Sequence, residues 1–431
     1  MGQALFWFRR DLRLNDNVGL YHALKGESAV IPIFIFDPDI LDELEPQDAR
    51  VTFIHERLDQ LSKEIAANGG QLQVFYGKVE EIFRSIFREH AIQAIYSNKD
   101  YEPYARQRDA QIAAMAASGD IAFRQFKDQV VFEEDEIVKA DGSPYVVYTP
   151  YRKKWEERFA VDKPVVLGQP NTQNWQKGLK PKQVSLKEMG FVTADISVPD
   201  FRLTSDLIDQ YEDQRNFPAK DDATSRLGPH LRFGTVSVRE LANFSNSQRN
   251  SVFLHQLIWR DFFMQILWHF PHTTERSFKP AYDRINWRND PEEFERWTKG
   301  ETGYPMVDAG MRQLVQTGYM HNRVRMVVAS FLCKHLLIDW RWGEAFFAKH
   351  LLDFELAANV GNWQWAAGSG VDAAPYFRVF NPTTQFKKFD PDTTYVSTWV
   401  PHWQELNYPR PMVDHKMARE RCLTTYKAAL Q

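Results

Sequence analysis

Four segments carry polar groups at a spacing that could serve chemistry. Within an apolar stretch expected to run as one helix from Glu344 to Trp365, Glu355, Asn359 and Trp363 fall at i, i+4 and i+8, on a single face. Trp365, two residues on, is expected to point roughly the other way. A buried carboxylate and amide must find partners, either in a protein network or on a polar cofactor. A second expected helix, Met320 to Leu337, presents Asn322, Arg325 and Met326 on one face with Arg323 beside them. A third, Val252 to Trp268, presents Gln256, Trp259, Arg260 and Phe263. The fourth is a loop, Asp222 to His230, in which Thr224, Ser225 and Arg226 precede Leu227, Gly228 and a proline-started helix. Hydroxyls, a guanidinium and free amides at a helix start suit a phosphate, although Ser and Thr are also common caps.

Other chemistry is excluded by pattern. Gly368-Ser369-Gly370-Val371-Asp372-Ala373 fits a dinucleotide fingerprint, but a Trp-rich helix precedes it where a strand is required, so it reads as a turn. No P-loop, HExxH, paired CxxC or GxSxG elbow is present, and no metal site is expected. Lys and Arg total 53 against 57 Asp and Glu, so any nucleic-acid surface must be a local patch. Two cysteines, Cys333 and Cys422, make no disulfide framework, which suits a reducing compartment. No stretch reaches about 18 apolar residues, and no targeting signal is read, so an intracellular, cytoplasmic protein is expected. Aromatic residues make up 14%, with thirteen Trp, enough to build stacking or electron-transfer surfaces.

These groups need positioning elements. Ala4–Phe8, 29–36, 71–76 and 91–96 read as strands, and 51–67 and 103–117 as helices, a βαβα rhythm that predicts a doubly wound parallel sheet. Pro32 interrupts the second strand's donors. From about 131 the rhythm is lost, and from 204 the pattern is helical. The expected organisation is an α/β domain over 1–130, a long linker over 131–203, and an all-α domain over 204–431.

Together these segments resemble the photolyase/cryptochrome family, most closely its class I cyclobutane-dimer photolyases, over nearly the whole chain. Phe6-Trp7-Phe8-Arg9-Arg10-Asp11, Gly303-Tyr304-Pro305 through Arg312, Met320 through Met326, and Tyr376 through Pro382 carry the likeness. The resemblance implies FAD in the helical domain, with Tyr211, Thr224, Ser225, Arg226, Leu227, Gly228, Arg260, Asn322, Arg325, Asp353, Glu355 and Asn359 at flavin-contact positions. Asn359 matches the residue facing flavin N5. Asn322 and Met326 stand where (6-4) members would be expected to show two His, so the resemblance implies repair of cyclobutane dimers. Trp259 and Trp365 match walls that stack a flipped-out dimer, while Gln256, Asn322, Arg323, Met326 and Arg215 match DNA or dimer contacts. Trp363, Trp340 and Trp287 match an electron chain from flavin to surface. The 1–130 domain resembles an antenna domain for a second chromophore, a folate or deazaflavin, with Glu102 at a folate-contact position.

The resemblance therefore implies light-driven splitting of cyclobutane pyrimidine dimers by a monomer that binds UV-damaged DNA, nucleoid-associated when bound. The rivals are a cryptochrome-type blue-light receptor and a flavin electron-transfer protein without a DNA role. Departures from the family pattern include Gln256 for Glu, Glu355 for Asp, Ala223 for Gly, Gly228 for Ser, and Phe253 for Trp.

Overall fold

Apolar runs near the N-terminus form strands because both their faces are covered. The structure, a computed structural model, describes residues 2–26, 28–168, 170 and 172–431. β1 (Gln3–Phe8), β2 (Ala29–Phe36), β3 (Gln73–Tyr76), β4 (Ile92–Asn98) and β5 (Ala122–Phe126) make one sheet in the order β3-β2-β1-β4-β5. Every pairing is parallel. Phe6, Phe8, Phe34 and Phe36 bury against one set of helices, and Leu5, Trp7, Ile33 and Ile35 against the other. That two-sided burial is why these strands read as unbroken apolar runs. Pro32 sits opposite Phe6 without ending β2. Four elements of the sheet-bearing stretch escaped the sequence reading: β5 is a five-residue edge strand with no buried residue, and the helices Val18–Lys25, Pro38–Leu41 and Val79–Glu89 are short.

By its contacts the chain divides into two units, and each is assembled from three pieces. The first takes Met1–Ile137, Trp155–Asp200 and Leu227–Ser247; the second takes Val138–Lys154, Phe201–Arg226 and Gln248–Gln431. The stretch 131–203, expected as a linker, contains the helix Tyr148–Val161 and contributes to both units.

In the first unit, four buried charges close a loop. Arg13 Nη2 donates to both oxygens of Asp128, at 2.7 and 2.9 Å. Arg239 Nη2 donates to Asp128 Oδ1 at 2.8 Å, and its Nε to Asp16 Oδ2 at 3.0 Å. Burial pushes the Asp128 carboxyl up, but Arg13 and Arg239 outweigh it and hold it below the usual carboxylate range. Glu102 is similarly held, by Arg10 at 2.8 Å and Arg232 at 2.5 Å.

The second unit is helical. Two expected long helices are broken. Met320 to Leu337 resolves into the helix Asn322–Ser330, a π-helical turn Phe331–Leu336, and Leu337 at φ +52. Glu344 to Trp365 resolves into Trp340–His350 and Leu356–Ala367, with Glu355 in extended conformation as the N-cap of the second. Gly368, in the left-handed region at φ +93, ends that helix, so the glycine fingerprint is a turn. Among the described residues no helix is long and apolar enough to cross a membrane.

Replacing Arg239 with Met leaves Asp16 without its cation and Asp128 with Arg13 alone, and losing one partner of a buried pair costs about 3–5 kcal/mol. A loss of unfolding free energy of that size, read from urea melts, is expected near neutral pH. Because the folded Asp128 carboxyl is depressed, its contribution is present above the unfolded carboxylate range. It is lost as pH falls below about 4, so the variant and the parent should converge in acid.

Candidate functional site: a tryptophan-walled cleft

The break between Trp340–His350 and Leu356–Ala367 folds one helix back against the other. Their contact is close because residue 343 lacks a side chain: a Cβ there would lie 2.1 Å from Trp363 Cη2 and 2.6 Å from Leu332. Beside this contact, Asn359 Nδ2 donates to the Glu344 carboxylate at 2.8 Å and to the Glu344 carbonyl at 3.1 Å. Burial pushes the Glu344 carboxyl up, while the Asn359 amide partly offsets this. With its nitrogen engaged by Glu344, the Asn359 amide has its carbonyl oxygen, an acceptor, left to offer a ligand.

That cleft is open to solvent, and its lining includes Asn322, Arg325, Met326, Asp353, Glu355, Asn359, Trp363 and Trp365. Eight of the residues singled out in the sequence thus meet, from two separate segments. Trp365 faces the same cleft as Trp363, not the opposite side, because the lining runs around the helix through Asn362 and Ala366. Glu355 reaches it from the cap position, not from the helix face. Arg325 is fixed by Met320 O at 2.7 Å and by Asp353 Oδ2 at 3.0 Å. Asp353 Oδ1 is buried without a hydrogen-bond partner. A buried carboxylate oxygen left open costs free energy unless a donor fills the place. Arg260 Nη2 lies 3.9 Å from Glu355 Oε2.

The remaining residues lie elsewhere on the second unit or in the first. Thr224 Oγ1 is 3.5 Å from the Tyr319 hydroxyl, and Arg226, at φ +55, lies over the Tyr319 ring at 5.4 Å. Ser225 accepts from Arg202 N at 2.8 Å. Tyr211 packs edge-on to Phe253, with Arg215 over its ring at 5.2 Å. Leu227 and Gly228 group with the first unit. Trp259 stacks on Tyr148 at 3.6 Å, nearly parallel, and Gln256 Nε2 donates back to Val252 O at 3.0 Å. Arg323 donates to Asn216 Oδ1 at 2.6 Å and covers the Phe389 ring at 4.2 Å. Trp340 begins its helix and is fully buried, as is Trp363, and Trp287 is half-buried.

Two contributors were missed. Glu344 reads as an ordinary helix-surface acid. His321 caps the Asn322–Ser330 helix by accepting from Arg323 N at 3.1 Å; burial, then the cations Arg325, Arg323 and Arg215, lower it to about 4, so it stays neutral. Burial is the larger cause, and the three cations add to it.

The cleft sets buried polar groups against tryptophan. Known families agree. A model described as "DNA photolyase" matches residues 4–170, and one described as "FAD binding domain of DNA photolyase" matches 253–407. The deoxyribodipyrimidine photo-lyase of Synechococcus sp. is 36% identical, the alignment covering 99% of this chain and 97% of that protein. A bacterial class III photolyase from Agrobacterium tumefaciens superposes with a TM-score of 0.88 at 35% identity, covering 100% of this chain and 98% of that one. An archaeal photolyase from Sulfolobus tokodaii, solved with two FAD molecules, gives 0.84 at 33% identity, covering 99% and 100%. The chain belongs to the DNA photolyase family.

The cleft fits FAD by its donor set. It offers acceptors at Asp353 Oδ1 and Asn359, and guanidinium donors at Arg325.

Gly343→Ala drives a methyl into Trp363. Overpacking of this kind costs about 1–3 kcal/mol, so a lower urea midpoint together with a reduced flavin-to-protein absorbance ratio is expected.

Proposed function

We propose that the protein splits cyclobutane pyrimidine dimers in DNA with light. The observation that carries this reading is the convergence, on one cleft, of the flavin-type polar set with the lesion-type set Asn322, Met326 and Trp365. Bound there, reduced FAD supplies on illumination the electron that opens the dimer and recovers it afterwards. Asn359, held by Glu344, presents a neutral acceptor to the ring's N–H. Asp353 and Arg325 orient the same ring. Trp365 forms one apolar wall for the extruded lesion. Trp259, its plane fixed by Tyr148 stacked behind it, forms the other, and Gln256 meets a pyrimidine carbonyl. A damaged dimer stacks badly within the duplex, so its extrusion is less costly than that of intact bases. Arg215 and Arg323 supply local positive charge despite a net charge of −4.

Trp363, Trp340 and Trp287 deliver outside electrons to the oxidised flavin, running from two buried indoles to a half-buried one. The α/β unit carries a second, light-gathering chromophore. The protein acts as a monomer on UV-damaged DNA in the cell interior, where Cys333 and Cys422 stay reduced; both are free and buried.

The test is direct. FAD-loaded protein is incubated with an oligonucleotide carrying one thymine dimer, in blue light and in darkness, and intact thymines are counted. Absence of light-dependent repair would sink the proposal, and lesion binding without repair would favour neither the photoreceptor nor the electron-transfer reading.

Two variants refine it. Arg323→Ala should weaken binding to dimer-containing DNA and flatten the log Kd against log salt slope by about 0.9, one phosphate contact. An unchanged slope would place Arg323 outside the DNA surface. Trp363→Phe should abolish light-driven flavin reduction by external thiol, and chemical pre-reduction of the flavin should restore dimer repair.

A further inference from the structure

We infer, on the reading that Trp259 and Trp365 wall the extruded lesion, that Tyr148 is a positioning residue setting the gap between those walls, and that Asp372 ties it to the second of them. Tyr148 opens the helix Tyr148–Val161 and is buried. Its ring lies on Trp259 with centroids 3.6 Å apart and planes 8° from parallel. That is the separation of two rings in contact, so no pyrimidine enters between them. One face of Trp259 is occupied by Tyr148, and a lesion meets the other. The Tyr148 hydroxyl donates to the His255 carbonyl at 2.9 Å, one turn before Trp259 on the helix Val252–His269. Phe262, on that same helix, meets both rings edge-on, 5.6 Å from Trp259 and 5.9 Å from Tyr148. Stack, hydroxyl and edge contact together hold the indole against tilting or recoil.

The second wall is reached through the backbone. Trp365 stands in the last turn of Leu356–Ala367, which ends at Gly368. The chain beyond is bound back to that helix: Ser369 N and Gly370 N both donate to Gln364 O, at 3.0 and 3.1 Å. Two residues on, Asp372 takes the left-handed conformation at φ +44, and its Oδ2 receives Tyr148 N at 3.4 Å. That N–H is the first of its helix and has no acceptor within it. A carboxylate there satisfies the helix end and meets its positive pole. The tie therefore runs from the Trp365 helix through Asp372 and Tyr148 to Trp259, wholly within the second unit.

Walls joined in this way hold a set gap. A cyclobutane dimer is two pyrimidines locked together by covalent bonds, bulkier than one flipped base and unable to flatten. A gap of fixed width touches it on both sides and touches a lone base on one side only. Discrimination is the difference between those two affinities, and it is kept only while the walls do not close on the smaller guest.

The experiment uses FAD-loaded full-length protein. Kd is measured for one oligonucleotide with and without a thymine dimer, alongside melting temperature and thiol-dependent flavin photoreduction. The variants are Tyr148→Phe, Tyr148→Leu, Asp372→Ala and Tyr148→Leu/Asp372→Ala. Tyr148→Leu should weaken dimer binding by about tenfold, the upper end of what an aromatic pair contributes, with affinity for undamaged DNA and photoreduction unchanged. Tyr148→Phe keeps the stack and should restore discrimination. Asp372→Ala should weaken dimer binding by about threefold, the size of a charge at a helix start. The double variant should be no worse than Tyr148→Leu, because Asp372 acts through Tyr148. Asp372 is exposed, so Asp372→Ala reads the same ratio should Tyr148→Leu not fold. The inference is overturned if Tyr148→Leu or, failing that, Asp372→Ala keeps the parent's discrimination, or loses affinity for both DNAs equally. Tighter dimer binding by Tyr148→Leu would also overturn it, since the tyrosine ring would then be filling the lesion's own place. Additive losses in the double variant would cut Asp372 out of the tie. A parent that repairs no dimer in light would instead remove the reading of the two walls.

Discussion

Two helices approach closely at Gly343, and the cleft depends on that contact. The Trp363 ring occupies the space a side chain at 343 would need. With the ring seated there, Trp340–His350 and Leu356–Ala367 lie near enough for Asn359 to reach both the carboxylate and the backbone carbonyl of Glu344. One packing event therefore sets the tryptophan wall and the orientation of the amide together. Packed interiors transmit changes of a single methyl group, so the polar and aromatic sides of the cleft cannot be adjusted separately.

Much of this arrangement was legible from residue type and spacing. Asn359 and Trp363 share a helical face, and Asn322, Arg325 and Met326 share another; both faces line the cleft. The parallel sheet was legible because strands buried on both sides read as continuous apolar runs. Glu344 shows where such reading stops. In one unbroken helix, residues 344 and 359 would stand about 22 Å apart at 1.5 Å per residue. They are hydrogen-bonded because the chain breaks at Leu351–Glu355. That break carries no proline or glycine; it is fixed by distant partners, Gly318 O receiving Leu352 N and Arg325 gripping Asp353. Periodicity, being local, does not report such partners. Trp365 was misdirected for a related reason: a cleft that curves around a helix end collects more than one face.

The aromatic content follows the same logic. Thirteen Trp in this chain could be packing alone. What separates roles is what stands against each ring, and that cannot be read from composition. Trp259 has a tyrosine laid on one face, whereas Trp340 lies beneath a guanidinium.

The interleaved division of the chain also shapes how it can be made. Asp16 and Asp128 belong to the sheet-bearing stretch that leaves the ribosome first, yet their shared cation, Arg239, follows Asp128 by 111 residues. At ordinary elongation rates that is a delay of roughly 5 to 20 s. Until Arg239 arrives, burying both acids beside Arg13 alone is unfavourable, so the nascent sheet should stay open around them. Early translation then yields a hydrated, reversible sheet, and the first unit locks only when its third segment, Leu227–Ser247, has been synthesised.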